Sequence, residues 1–289
     1  MPVANVRRDG TGNPDPPRRL PVLSRRHTQA NTRRAEYHDP VKSCCRYRRF
    51  PFSPAEVTMP TDQAPFLGSL VADAVAMPVH WYYDQVALDR DYPQLAEATS
   101  VPQLAEATSA GSPLYLAPRN PHSGSILWRS QWTPPSPQFD ILREQAAFWG
   151  QHGVHYHQFL AAGENTLNYR LATELFEMVR RDRGYDPEKW LDRYITLMLE
   201  PGWHHDTYVE EYHRHFFTNL AAGRKPINCG VRDVHIGGLA PVPALVAALG
   251  SRHPDLREIV RIHVGLTHKD PDVLAAADTL VKILVAAPA

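Results

Sequence analysis

The sequence predicts an all-α protein, and three observations lead to this fold class. From Ala64 onward, apolar residues recur at intervals of three and four, which is the spacing of one face of a helix. No convincing alternation of apolar and polar residues, the pattern of a half-buried strand, occurs in the same region. Proline and glycine fall between the apolar stripes. With 43% apolar residues in a chain of 289, there is enough apolar surface for a substantial core.

The first predicted helix begins near Ala64 and should end at Pro78, because proline lacks an amide hydrogen and clashes with the preceding turn. Its predicted apolar stripe consists of Leu67, Leu70, Val71, Ala74 and Val75. The later segment 114–132 is dense in Pro, Gly and Ser and predicts a loop, although a strand-like stretch remains an alternative there.

Two amphipathic helices are predicted in the middle of the chain. The first lies between Asn165 and Arg183, with arginines in its last turn, where cations favour the helix dipole. The second begins with Pro187 in its first turn and closes at Pro201. Their predicted core residues are Leu167, Leu171, Leu175, Met178 and Val179, followed by Trp190, Leu191, Tyr194, Leu197 and Met198.

Three more helices complete the prediction. Thr207 and Glu210 have the spacing of a capping box, which should open a helix that runs towards Gly223. The last two follow Pro254 and Pro271 and present stripes that begin with Leu256 and Val273.

The first 58 residues have a different composition from the rest. They hold twelve Lys and Arg against five Asp and Glu, together with eight Pro, and they show almost no apolar periodicity. Such a segment cannot bury enough apolar surface to offset the loss of chain entropy on folding. We therefore expect 1–58 to be a disordered basic extension, and 59–289 to be the folded domain.

Charge, apolar runs and cysteine content give no indication of a nucleic-acid partner, a membrane span or a disulfide framework. The 31 Lys and Arg equal the 31 Asp and Glu, so no chain-wide basic excess indicates a nucleic-acid partner, and no apolar run is long enough to span a membrane. We expect a cytoplasmic protein, because the Arg-rich start is not a secretory signal. Cys44, Cys45 and Cys229 do not form a disulfide framework, and we expect reduced thiols.

Candidate chemistry centres on histidines and on one aspartate. Seven of the 15 histidines lie in the segments 152–157, 204–205 and 213–215, which suggests a metal site, although no His-Glu-x-x-His pattern is present. His205-Asp206 could alternatively represent the metal-binding pair of a His-Asp phosphohydrolase. Asp73 interrupts an apolar stripe, and a carboxylate there must either face solvent or have partners. Phosphate loops and a Gly-x-Ser-x-Gly elbow are absent.

A set of ordered motifs resembles the ADP-ribosylglycohydrolase family. Residues 68–81, GSLVADAVAMPVHW, are similar to the family's Gly-x-x-x-Gly-Asp-Ala-x-Gly-x-Pro, with Ala72 and Ala76 in place of two glycines. The HWYYD ending at 80–84 is closer to the branch that includes the J-type lens crystallins. The later matching segments, in the order of that branch, are 155–157, 163–168, 205–208, 235–239 and 267–271.

The resemblance implies an all-helical hydrolase that cleaves N- or O-glycosidic bonds of ADP-ribose with two Mg²⁺ ions. Its substrate would be a small molecule or an ADP-ribosylated partner. The motif matches assign metal ligation to Glu164, Asn165 and Thr166. Glu164 and Asp73 would be catalytic residues. Substrate would be bound by His80, Trp81, His268 and Asp270.

The chain departs from the family pattern at both metal motifs. Glu164-Asn165 stands where the family has two aspartates, so that one carboxylate is replaced by an amide. The second motif, Asp-x-Asp-Thr, has no counterpart, which implies a domain that lacks the family's C-terminal helices. We therefore expect weak or absent Mg²⁺ binding. The predicted function is a hydrolase of ADP-ribosyl bonds with degenerate activity, and the alternatives are a non-catalytic crystallin-like relative and a His-Asp phosphohydrolase.

Overall fold

A computed structural model describes residues 63–93, 115–119 and 126–286. In this part of the chain the secondary structure is helical, with short 3-10 turns and one isolated parallel bridge in place of a sheet. The all-α prediction is confirmed, and the predicted extension 1–58 lies outside the described residues. The α-helices are α1 (Ala64–Ala76), α2 (Gln85–Asp91), α3 (Leu167–Asp182), α4 (Pro187–Leu199), α5 (Glu211–Ala221), α6 (Pro241–Leu249), α7 (Leu256–Gly265) and α8 (Pro271–Ala286).

Helices α3 and α4 bury the residues that their sequence stripes predict. All ten predicted core positions are at most 7% exposed and belong to one continuous apolar core. Helix α4 starts where expected, because Asp186 accepts hydrogen bonds from the amides of Glu188 and Lys189 and Pro187 occupies the first turn. Helix α3 ends at Asp182, and the next residue, Arg183, adopts a left-handed conformation just before Gly184.

Helix α6 is the central element of this core. It packs against α1, α3, α7 and α8, and Val242, Ala244 and Leu245 are fully buried. The sequence pattern did not predict α6, because a helix that is apolar on every side shows no stripe. Helix α2, capped by Asp84 through the amides of Val86 and Ala87, was also missed because it is only seven residues long.

The predicted apolar face of α1 is wrong in part. Ala74 is buried as predicted, but Leu67 and Val71 are 38% and 43% exposed, and Phe66 and Asp73 are buried in their place. Compared with the predicted orientation, α1 is rotated about its axis. The carboxylate of Asp73 therefore faces the protein interior, where hydrogen-bond donors bind it.

The predicted capping box is also wrong. Helix α5 begins at Glu211, and its N-terminus has no side-chain cap. Thr207 is fully buried, and its backbone amide donates to the carbonyl oxygen of Tyr156 at 2.9 Å. Glu210 turns towards α3 instead of back onto its own helix.

Three further features of the structure concern expectations drawn from the sequence. Within the described ranges, no helix is both long and apolar enough to cross a bilayer. Cys229 is a free, buried thiol, as expected, whereas Cys44 and Cys45 lie outside the described residues. The described parts of the segment 114–132 contain no strand.

Candidate functional site

The site is organised around the N-terminus of α3, where Asp73 of α1 binds the preceding loop. Its Oδ2 accepts hydrogen bonds from the amide of Thr166 at 2.8 Å and from Nδ2 of Asn165 at 3.0 Å. Its Oδ1 accepts a bond from Oγ1 of Thr166 at 2.8 Å. Nδ2 of Asn165 also donates to the carbonyl oxygen of Leu70 at 2.7 Å. The positive end of the helix dipole also stabilises a carboxylate at this position.

A second carboxylate, Asp206, binds the same helix terminus and begins a chain of histidines. Its Oδ2 accepts a hydrogen bond from the amide of Leu167, and its Oδ1 contacts Nδ1 of His157. Nε2 of His157 lies 3.1 Å from Nδ1 of His80. His155 supports this chain, because its Nδ1 accepts a bond from the amide of His157 and its Nε2 contacts the carbonyl oxygen of Pro78.

The third carboxylate, Glu210, lies against the loop that precedes α6. Its Oε2 accepts a hydrogen bond from Nδ2 of Asn168 at 3.0 Å. A Cβ atom on Gly237 would lie 2.5 Å from the same oxygen, so a larger residue there would displace the carboxylate. Oδ1 of Asn168 accepts a bond from the Tyr212 hydroxyl at 2.8 Å and contacts Nε2 of His213 at 3.2 Å.

His268 is held beside this group by close backbone contacts. The parallel bridge between Val231 and His268 fixes the loop, and a Cβ on Gly230 would be 2.3 Å from the carbonyl oxygen of Leu266. The His268 ring is fully buried, with its centroid 4.3 Å from that of Tyr212. Its Nε2 has no hydrogen-bond partner among the described residues.

Asp270 has partners that hold the start of α8. Its Oδ1 accepts a hydrogen bond from the amide of Asp272 at 3.0 Å, and its Oδ2 accepts one from Nε of Arg232 at 2.8 Å. The bond from Arg232 lowers the pKa of Asp270. These contacts connect the loop before α6 to the helix that follows His268.

Trp81, next to His80, has an unusual backbone. Its φ is 67°, a left-handed value that costs a non-glycine residue about 1–2 kcal/mol. The indole ring is 39% exposed and meets the ring of Tyr156 at a centroid distance of 5.1 Å. Strain of this kind persists only where the surroundings hold the residue in place.

Burial shifts the pKa values of the site in opposite directions. Burial lowers the pKa of His80 to about 4 and that of His268 to about 4, so both rings are neutral at pH 7. Burial raises the pKa of Glu210, although the bond from Asn168 opposes the shift. Burial also raises the pKa of Asp73 against its three hydrogen bonds. The electrostatic influence of His157 lowers the pKa values of Asp73, His80 and Glu210.

The structure brings three of the predicted site residues together. Asp73, Asn165 and Thr166 are in direct contact. His268 is linked to them through Tyr212 and Asn168, which lies in the first turn of α3. Glu164 is in the adjoining loop, and its Oε2 accepts a bond from the amide of Ala161 at 2.7 Å.

Sequence reasoning did not identify Glu210, Asn168 or the His80–His157–Asp206 chain as one group. The local sequence predicts Glu210 to be the acidic member of a capping box, because Thr207 precedes it by three residues. The histidine cluster did carry a signal, but its link to Asp206 spans 49 residues and depends on the fold.

The arrangement does not fit a two-ion magnesium site. Among the described residues, no three His, Cys, Asp or Glu side chains converge on a point where an ion could bind. The oxygens of Asp73 already accept three hydrogen bonds, and Glu164 binds a backbone amide. Divalent cations of this kind need several free oxygen ligands.

The His-Asp pair expected of a phosphohydrolase is not formed either. His205 is exposed, whereas Asp206 is 1% exposed and bound to His157 and Leu167. The two neighbouring side chains thus lie in different surroundings and do not act as joint ligands.

Comparison with known proteins gives one match. The model of the ADP-ribosylglycohydrolase family matches residues 64–288, which include every helix described above. Neither a curated protein nor a solved structure shows a significant match to the chain. Because the family match covers well over half of the sequence, this chain belongs to the ADP-ribosylglycohydrolase family.

Proposed function

We propose that this chain hydrolyses a glycosidic bond to ADP-ribose, with Glu210 as the general acid and His80 as the general base. The observation that carries the proposal is an imidazole, His80, that lies 3.1 Å from His157, together with a carboxyl group, Glu210, that His157 also influences electrostatically; burial shifts the pKa values of His80 and Glu210 in opposite directions. Titratable pairs whose environments separate their pKa values are typical of acid and base partners. Family membership supports the hydrolase class.

The histidine chain can supply the base. If Nδ1–H of His157 donates to Asp206, its Nε2 can accept the Nδ1 hydrogen of His80. The lone pair of His80 then lies on Nε2, which makes no hydrogen bond with any residue that the structure describes. Water that attacks the anomeric carbon would transfer its proton to this nitrogen. Asp206 is a positioning residue, because it orients His157.

Glu210 can supply the acid. Its raised pKa increases the fraction of protonated carboxyl, and protonation of the leaving atom helps the glycosidic bond to break. Asn168 fixes the orientation of the carboxyl group. We expect slow turnover, because positioned acid and base groups contribute only about 10²–10⁴-fold in rate.

The test is release of ADP-ribose from an ADP-ribosylated peptide. We expect Glu210→Gln and His80→Gln each to lower kcat by about 100-fold or more, with thermal midpoints near that of the native chain. Glu164→Gln is the matched control and should retain activity within about threefold, since the only described hydrogen bond of its side chain is with a loop amide. Mg²⁺-dependent release that is lost in Glu164→Gln but kept in Glu210→Gln would refute these roles.

A second candidate is a non-catalytic relative that binds the ADP-ribosyl group. It is favoured by one observation: the carboxylates of Asp73 and Asp206 are both engaged with backbone amides at the start of α3. In this case calorimetry would detect ADP-ribose binding to the native chain, while no release from the peptide would be measurable.

A further inference from the structure

We propose that a small cavity beside the end of α4 is a built site for one water molecule, which bridges Arg143, Gln145 and His204. The site is separate from the groups assigned to catalysis, and it does not depend on the function proposed above. Three features carry it: buried polar atoms at one cavity, their complementary hydrogen-bonding character, and the backbone conformation of Arg143.

Three buried polar groups lie at the same cavity. Nε of Arg143, Oε1 of Gln145 and Nδ1 of His204 are buried, and none of them makes a hydrogen bond with any residue that the structure describes. All three residues line a cavity of about 10 Å³. Gln145 and His204 are only 7% and 9% exposed. Because a buried polar group without a partner is costly, three such groups at one cavity indicate a ligand that pairs with them.

The hydrogen-bonding character of these atoms matches a water molecule. Nε of Arg143 carries a hydrogen and can only donate. Nε2 of His204 lies 3.0 Å from the carbonyl oxygen of Ile141 and must carry the hydrogen of that bond, so Nδ1 of the neutral ring is an acceptor. Burial lowers the pKa of His204, which keeps the ring neutral at pH 7. The water accepts a bond from Arg143 and donates to His204 and Gln145.

Size and charge favour water over other ligands. A buried water needs roughly 10–15 Å³ and makes about three hydrogen bonds, which agrees with this cavity and its three polar atoms. An organic ligand needs a much larger space. The guanidinium of Arg143 repels a metal cation, whereas Glu144 and Glu200 also line the cavity and disfavour an anion. A small neutral molecule that both donates and accepts is therefore the ligand that fits.

The contacts of Arg143 show that its side chain is held at the cavity. Its φ is 50°, a strained value for a residue with a side chain, and such strain persists only where the surroundings hold the residue. Its backbone amide donates to Oδ1 of Asp140 at 2.8 Å, and its Nη2 donates to the carbonyl oxygen of Leu199, the last residue of α4. The water extends this set of contacts to His204, so the turn at Arg143, the end of α4 and the loop that contains His204 are joined at one point.

The test is thermal unfolding of Gln145→Met in the full chain, because the sign of the shift separates a filled cavity from a dry one. Methionine is similar in length to glutamine but has only a weakly accepting sulfur in place of the amide oxygen. If the water is bound, the variant loses a satisfied hydrogen bond, and we expect the midpoint to fall by about 2–4 °C. In a dry cavity the variant removes an unpaired polar group, so a midpoint that rises or stays unchanged would overturn the proposal.

A control variant and a direct observation complete the test. Gln138→Met is the matched control, since Gln138 is exposed and its side chain makes no hydrogen bond with any described residue. Its midpoint should stay within about 2 °C of the native value, and an equal fall in both variants would count against the site. If Gln145→Met does not fold, a crystal structure of the native chain at a resolution that shows ordered waters decides. We expect a water within about 3.2 Å of all three atoms; a dry cavity, or a side chain that fills it, would refute the proposal.

Discussion

Replacing Asp73 should strongly destabilise the domain, because its carboxylate holds the start of α3. Three donors point at its oxygens: the amide and hydroxyl of Thr166 and the side-chain amide of Asn165. The residue is 7% exposed, so water cannot fully replace the lost acceptor. A buried donor without a partner costs about 1–3 kcal/mol.

The expected size of the effect follows from the number of donors. Asp73→Ala leaves three donors unpaired, which lowers the free energy of unfolding. The variant no longer buries a charge, so part of this loss is recovered. We expect a net loss of about 3–4 kcal/mol in the free energy of unfolding. Asp73→Asn keeps one acceptor oxygen and should lose about 2 kcal/mol. For a domain of this size, 1 kcal/mol corresponds to about 2–4 °C in the thermal midpoint. Asp73→Ala should therefore lower the midpoint by about 6–16 °C.

The assay is thermal unfolding followed by circular dichroism. The control is Glu174→Gln, which removes a surface carboxylate bonded to Arg193 at 2.6 Å. Exposed ion pairs contribute about 0–1 kcal/mol, so this variant should shift the midpoint by less than about 4 °C. If Asp73→Ala shifts the midpoint no more than Glu174→Gln does, the carboxylate does not hold α3 and the reasoning fails.

Three other predictions can be checked with the same protein. A chain that begins at Met59 should unfold within about 5 °C of the full chain, since the composition of 1–58 cannot support a core; a larger drop would show that the extension packs on the body. Calorimetric titration with Mg²⁺ should show weak binding, because few carboxylate oxygens are free, and saturation at micromolar Mg²⁺ would contradict this. Burial lowers the pKa of His263 to about 3. Its folded pKa is below the unfolded value, so its contribution to stability is present above about pH 6.5 and is lost as the pH falls towards 3. Between pH 7 and pH 5 the native chain should lose about 2 kcal/mol more than His263→Phe, measured by urea unfolding at both pH values; equal losses would show that His263 does not titrate in this way.

Much of the fold could be predicted because α3, α4 and α7 each have one apolar face and one polar face. The pattern fails where that asymmetry is missing, as in α6, or where a polar residue is buried, as in α1. Leu67 and Val71 fit the stripe, but the donors that surround Asp73 come from residues more than 90 positions away and determine which face is buried. No local pattern contains that information.

The candidate site was partly predictable for the same reason. A carboxylate within an apolar helix needs partners, which marks Asp73 in the sequence, and the structure gives it three hydrogen bonds. Glu210 carries no such signal, because its local sequence suggests a helix cap. Its role depends on Gly237, which leaves room for the carboxylate beside Asn168 only in the folded chain.

The start of α3 also has a consequence for how the protein folds. Two adjacent amides, of Thr166 and Leu167, are bound by carboxylates that lie 93 residues upstream and 39 residues downstream. Closing the shorter loop costs less chain entropy, by about 0.8 kcal/mol from the ratio of the loop lengths. We therefore expect Asp206 to engage the nascent helix before α1 docks. Substitution of Asp73 should then mainly accelerate unfolding, whereas substitution of Asp206 should also slow the folding reaction.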